Sequence, residues 1–375
     1  MIPRDRVEAT FEHKEPDMLA MDLGGRVSTF SVSLYADFLK RAGFPELEAH
    51  SQDLKGNIAL VDEEILEKFG IDTRYVTAAP PDTWQLEITR DETGESLVDE
   101  WGATYRMPRD GFYFDLVEHP FPKADIAAID HYDWPDPDNA SRYRGLRDKA
   151  RGYHERGYIV GTTVKGAWET MWVLRGIQQT MRDIYRNPEF YHVLARRAGE
   201  VMSAITRNIL RETSPYVQYV CVTCDVGTQN NIMISKEHFD TFIRPYESMI
   251  FDAIRDGGAK VALHSCGAVF EMVPQIIDCG VDILNPIQTS ASGMDTRKLK
   301  QEFGRDLCFW GGIDVQQVLR SGTVDEVRQE TRRVIEDLSP GGGYLFAPSH
   351  DIQTGTPLDN VMAMFETARE IGGRH

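Results

Sequence analysis

Val261-Ala262-Leu263-His264-Ser265-Cys266-Gly267 carries three apolar residues straight into a His-x-Cys pair and a glycine. A short apolar run of this kind reads as a buried parallel strand whose last residues emerge at the rim of a sheet. Side chains two apart on a strand share a face, so His264 and Cys266 point the same way. An imidazole and a thiolate on one face, at a strand end, make half of a zinc site. A hydrogen-bonded histidine beside an inert buried cysteine is the other reading of this fragment. The remaining strand ends bear on that choice.

Outward from this strand the rhythm is regular. Apolar runs at 158–164, 216–224, 281–284, 307–310 and 344–347 alternate with helical patterns near 142–155, 167–185, 188–212, 236–256, 268–278, 295–303, 324–337 and 358–371. Such alternation means βα units and a parallel sheet. Met18-Leu19-Ala20-Met21-Asp22-Leu23 adds a first strand, and an eighth is expected among residues 71–77. The fold class is α/β: a (βα)8 TIM barrel, with 1–375 read as one barrel domain and regular units from 141 onward. An open doubly wound sheet is second, because no glycine-rich phosphate loop follows the first strand. Residues 1–140 hold that first strand, helical patterns at 4–13, 33–43 and 59–70, and a β-hairpin insertion within 84–107. Proline-punctuated loops from 119 to 138 follow. Aromatic and aliphatic residues persist throughout, so this N-terminal extension is expected to wrap over the barrel.

The composition excludes several classes. With 41% hydrophobic and 27% charged residues the chain resembles an ordinary globular protein able to bury a large core. Its 41 Lys+Arg against 59 Asp+Glu give −18, which argues against a nucleic-acid partner. No apolar run approaches the length of a membrane span. The first ten residues hold no apolar signal core, and five scattered cysteines suggest reduced thiols, so a cytoplasmic location is expected.

In βα barrels chemistry sits at the C-terminal ends of the strands. Those ends bring Lys165-Gly-Ala-Trp-Glu169, Asp225 with Gln229, His264 with Cys266, Asn285 with Gln288, Asp314, and His350-Asp-Ile-Gln353. His264, Cys266 and His350 form a candidate three-ligand zinc site, leaving one position open as in catalytic zinc centres. Glu169 is a candidate general acid or fourth ligand; a charge near a helix start is its structural alternative. Asp225 is a candidate for orienting a ligand or binding substrate, against a helix-capping role. Cys221 and Cys224, three apart on a strand, fall on opposite faces and read as core, as do Trp168 and Trp172. Cys279 and Cys308 also read as structural.

At these residues the chain resembles the uroporphyrinogen decarboxylase superfamily over nearly its whole length. The resemblance is carried by Arg6-Val-Glu-Ala-Thr-Phe-Glu-His-Lys-Glu-Pro-Asp17 leading to Asp22-Leu-Gly-Gly25, and by Glu169-Thr-Met-Trp-Val-Leu-Arg-Gly176. Asp225-Val-Gly-Thr-Gln229, His264-Ser-Cys-Gly267, Gly311-Gly-Ile-Asp314, Ala347-Pro-Ser-His350 and Thr356-Pro-Leu-Asp-Asn360 complete it. It implies a (βα)8 barrel with its cleft at the strand ends.

The superfamily holds metal-free decarboxylases, which grip a polyanionic porphyrinogen through an arginine-rich segment after the first strand. It also holds methylcobamide:thiol methyltransferases, which carry zinc on a His-x-Cys pair and a distant cysteine and work with corrinoid proteins. Met21-Asp-Leu-Gly-Gly-Arg-Val-Ser28 has a single arginine where the first branch has its clamp, and His264-x-Cys266 matches the second. His350 stands where that second branch has cysteine, and true decarboxylases also have a histidine near there. The preferred expectation is a zinc-dependent methyltransferase-like enzyme that activates a small thiol for alkyl transfer from a corrinoid protein. Glu169 and Asp225 would be catalytic, and Gln229, Asn285, Asp314 and Gln353 substrate-binding. A cofactor-free decarboxylase and a noncatalytic accessory barrel are the alternatives.

Overall fold

The computed structural model describes residues 1–373. Eight parallel strands form one sheet: β1 (Ala20–Met21), β2 (Thr73–Tyr75), β3 (Ile159–Lys165), β4 (Tyr219–Thr223), β5 (Lys260–His264), β6 (Ile283–Asn285), β7 (Cys308–Ile313) and β8 (Tyr344–Pro348). Each pairs with its sequence neighbour from β2 to β8, and β1 pairs with β8. The β1–β2 seam is bridged by Asp72, whose N–H donates to the Met21 carbonyl while its carboxylate accepts the Met21 N–H. The result is a nearly closed TIM barrel with helices around it. The eighth strand stands within 71–77, as the sequence indicates.

The barrel interior is packed. Ala20, Ile159, Tyr219, Cys221, Ala262, Ile283, Trp310 and Leu345 form its cluster, and the N-terminal helix Pro3–Phe11 closes the lower end with Val7 and Phe11. Asp22 is fully buried there, accepting hydrogen bonds from Ser28, Thr73, Tyr75 and Trp310. Four donors replace the water that a buried carboxyl loses. Cys221 belongs to this inner cluster and Cys224 to the outer one between sheet and helices, on opposite faces.

Several local expectations are corrected. Ala59 and Leu60, read as the start of a helix over 59–70, belong to the strand Ile58–Leu60, which pairs antiparallel with His50–Asp53, and the helix covers only Glu63–Phe69. Three apolar residues carry too little periodicity to tell the two states apart. The expected hairpin is a four-stranded antiparallel sheet spanning 88–118. Its Leu97, Tyr105 and Phe114 pack on Val173 of the helix Ala167–Arg175, and Tyr113 reaches the cleft edge with a hydrogen bond to Gln353. The loops after 119 contain a short helix, Ile126–Asp130, capped by Asp125. The pattern at 236–256 is broken by a π turn over Phe239–Ile243 before the helix Arg244–Asp256. Pro245 lacks the N–H that a continuous α-helix needs.

Candidate metal centre

Strand register sets the floor of the site. Lys165, Thr223, His264 and Asn285, each the last residue of β3, β4, β5 and β6 in turn, stand in one row. Register partners on parallel strands point to the same face. Cys266 follows the strand end, on a turn that needs two glycines. Gly267 has φ +93°, and a Cβ there would lie 2.5 Å from the Thr228 carbonyl oxygen; one at Gly227 would lie 2.5 Å from that of Cys266. The turns after β4 and β5 therefore touch backbone to backbone, with Ala268 N–H donating to Thr228 O at 2.7 Å.

These turns bring His264, Cys266 and His350 together, with one donor atom from each within 4.8 Å of the others. Cys266 Sγ lies 3.4 Å from His264 Nε2. Zinc–sulfur and zinc–nitrogen bonds of about 2.3 and 2.0 Å at a tetrahedral angle put two such donors about 3.5 Å apart. The observed spacing and the nitrogen and sulfur chemistry fit a zinc ion.

The surrounding groups hold two of these ligands. Asn285 Nδ2 donates to the Trp310 carbonyl, so its Oδ1 accepts from His264 Nδ1–H, at 2.5 Å. That contact leaves the His264 Nε2 lone pair facing Cys266, the tautomer that metal-binding histidines use. Asp225 Oδ1 accepts the Cys266 N–H at 2.7 Å, and Trp168 Nε1 donates to the Asp225 carbonyl. His350 is set differently: Asp351 N–H donates to its Nδ1 at 2.8 Å. The proton of a neutral ring then rests on Nε2, so metal binding through that atom requires the ring to give up the contact.

Burial pushes the Cys266 thiol well up, and the neighbouring Asp225, Glu169 and Asp351 add to it. Glu169 accepts from Thr223 Oγ1 at 2.5 Å and from the Asp225 N–H at 3.3 Å. Burial, then Asp225, raises its carboxyl. Burial, then Lys55, lowers Lys165.

The structure separates the remaining sequence candidates. Gln229 and Gln353 line an open cavity of about 410 Å³ beside Cys266 and His350. Asn285 does not face that cavity; it is fully buried behind His264. Asp314 is also turned away from substrate, because its carboxylate caps a chain turn by accepting the N–H groups of Gln316, Gln317 and Val318. Gln288 was not singled out as a binding residue, yet it links the site: it accepts the Gly267 N–H and donates to Gln229. Its place three residues after Asn285 on a strand end was the available signal. Gln316, which lines the same cavity, follows the Asp314 turn and had none.

A sequence model of the uroporphyrinogen decarboxylase (URO-D) family matches residues 98–371. The chain belongs to the uroporphyrinogen decarboxylase family. Its curated relatives include members with two activities. A uroporphyrinogen decarboxylase from Crocosphaera subtropica is 28% identical over 148 residues, 37% of each chain. The methylated-thiol–coenzyme M methyltransferase of Methanosarcina mazei is 22% identical over 197 residues, 52% of this chain and 49% of that one. A methylcobamide:CoM methyltransferase from Methanosarcina acetivorans is 24% identical over 140 residues, 36% of this chain and 38% of that one. The chain thus spans about half the length, or less, of these relatives. Among solved structures, a methyltransferase from Methanosarcina mazei superposes with a TM-score of 0.68 at 18% identity, covering 99% of both chains. That likeness extends the family fold to the N-terminal part that the family model leaves unmatched. Among the described residues, no helix is long and apolar enough to cross a membrane.

Proposed function

We propose that this member of the uroporphyrinogen decarboxylase family is a zinc-dependent methyltransferase-like enzyme that uses a small thiol as alkyl acceptor. The observation that carries the reading is the approach of His264 Nε2 and Cys266 Sγ to 3.4 Å, with His350 beside them at the catalytic end of the barrel. His264, Cys266 and His350 would hold the zinc. A zinc ion there would supply Lewis acidity and keep a substrate thiol ionised near neutral pH. Asn285 fixes the His264 tautomer, and Asp225 fixes the Cys266 backbone. Glu169, which accepts the Asp225 N–H, is the carboxylate we assign as acceptor of the thiol proton. Gln229 and Gln353 orient the acceptor in the cavity. A methyl-corrinoid protein would supply the methyl group: the acceptor sulfur would bond to the methyl carbon as the carbon–cobalt bond breaks, its electron pair staying on cobalt. The names of the two Methanosarcina sequence relatives support the choice of reaction.

The decarboxylase relatives favour a second reading, removal of porphyrinogen carboxyl groups. Against it, the arginine that follows β1, Arg26, already pairs with Asp53. Two assays separate the readings. Protein purified without added metal should contain about one zinc per chain. It should also methylate a thiol when given a methylated corrinoid protein. Absence of zinc, together with failure to bind it at equimolar concentration, would refute the ligand assignment.

A further inference from the structure

The cavity beside Cys266 carries a chemical preference that its reaction class does not specify. Among the described residues twelve line it; four are glutamines, and none is lysine or arginine. Gln288 and Gln229 are bonded to each other and to the backbone, while Gln353 accepts from Tyr113. Gln316 is exposed, and among the described residues none bonds its side-chain amide. The free hydrogen-bonding capacity of this space is therefore neutral amide.

The fixed charges near it are negative. Asp225 holds the Cys266 N–H, and Asp351 lines the cavity with its carboxylate on the Thr29 N–H. The nearby cations stand outside the lining. Arg26 pairs with Asp53 and also acts on Asp351, Lys55 pairs with Asp99, Arg320 donates to the Thr354 carbonyl, and Lys165 ends β3, two strands from His264. A second anion in the cavity would meet the Asp351 carboxylate, with Asp225 behind Cys266, and find no cation among the described lining residues. Like charges repel in proportion to 1/r, and a half-enclosed site screens them less than open solvent.

We infer that the acceptor carries no negative charge at the end away from its sulfur: a small thiol bearing a hydroxyl, an amide or an amine, not a carboxylate or a sulfonate. This rests on the thiol reading above and narrows it. An amide-lined site discriminates such a molecule by hydrogen bonds to its polar end.

Three thiols of one carbon length test it: 2-mercaptoethanol, 2-mercaptoethanesulfonate and 2-aminoethanethiol. Each is titrated into protein loaded with cobalt(II), whose visible bands report sulfur binding, and affinities are corrected for the thiol's own pKa. The neutral thiol should bind about tenfold more tightly than the sulfonate, the ratio expected from one like-charge contact at a partly solvated site, and 2-aminoethanethiol should bind no more weakly than the neutral thiol. Gln316→Lys should bring the two to within about twofold by supplying the missing cation. Equal or tighter binding of the sulfonate to the unaltered protein overturns the inference and leaves the thiol reading standing. If that binding is also lost in Lys165→Met, the anion sits on β3 instead. Silence from all three thiols while cobalt stays bound overturns the thiol reading, and this inference with it.

Discussion

Replacing Asn285 by alanine removes the group that sets the His264 ring. The native contact is 2.5 Å long and the side chain is fully buried, so water cannot take its place. Two hydrogen bonds are lost, one to His264 and a longer one to the Trp310 carbonyl. The buried imidazole N–H left unpaired costs roughly 1–3 kcal/mol of fold stability. A larger and more specific effect falls on metal binding. Without Asn285 the ring is free to carry its proton on Nε2, the atom that faces Cys266. Loss of such an orienting partner typically weakens metal binding about 10–100-fold, or roughly 1.4–2.8 kcal/mol. Competition for zinc against a chromophoric chelator gives the affinity, and thermal unfolding of metal-free protein gives the stability. Asp314→Ala is the control. It removes a carboxylate that accepts three backbone N–H groups, so it should cost roughly 1 kcal/mol of stability. Its zinc affinity should not change. If Asn285→Ala binds zinc as tightly as the unaltered protein, the assignment of His264 Nε2 as a ligand atom is wrong.

Cys266→Ser should abolish zinc binding and methyl transfer while leaving the barrel folded, because Cys266 lies on a turn past the strand end and the core is built elsewhere; circular dichroism and zinc content check this. Glu169→Gln should change the pH dependence of stability. The Glu169 carboxyl is raised by burial and by Asp225 up to about 7 from its usual 4.5, so the folded state holds a proton that the unfolded chain releases. The corresponding stability is complete below the unfolded value and is lost as pH rises through 7. The variant should therefore lose less stability than the parent between pH 5 and 8 in urea titrations, and an equal or steeper loss would contradict the burial argument. Coproporphyrinogen formation from uroporphyrinogen under anaerobic conditions should be negligible, since Arg26 is engaged by Asp53; turnover matching a true decarboxylase would favour the second reading.

Much of the barrel was legible because its period is local. Apolar runs and amphipathic helices repeat within windows of ten to twenty residues, and even the short β2 was bracketed by its position in that rhythm. The spacing of His264 and Cys266 on one face is also local, and in the structure their donor atoms meet. What the sequence hid depends on register and burial. Asn285 reads as one more polar strand end, and only its pairing opposite His264 shows that it serves the histidine. Asp314 looks the same in sequence, yet its carboxylate is spent on its own turn. The row from Lys165 to Asn285 crosses four strands that are separated by helices in the chain. The antiparallel sheet over 88–118 was half seen: Gly94–Val98 and Thr104–Pro108 are two strands where one was expected, and Asp115–Glu118 is too short and polar to signal itself.

Zinc-edge X-ray absorption of the zinc-loaded protein, with and without 2-mercaptoethanol, tests the central claim most directly. Before the thiol, the shell should hold one sulfur, from Cys266, and two imidazole nitrogens, from His264 and His350. With the thiol at saturation it should gain one sulfur at about 2.3 Å. A shell that never contains the Cys266 sulfur, or one that no thiol alters, would contradict it.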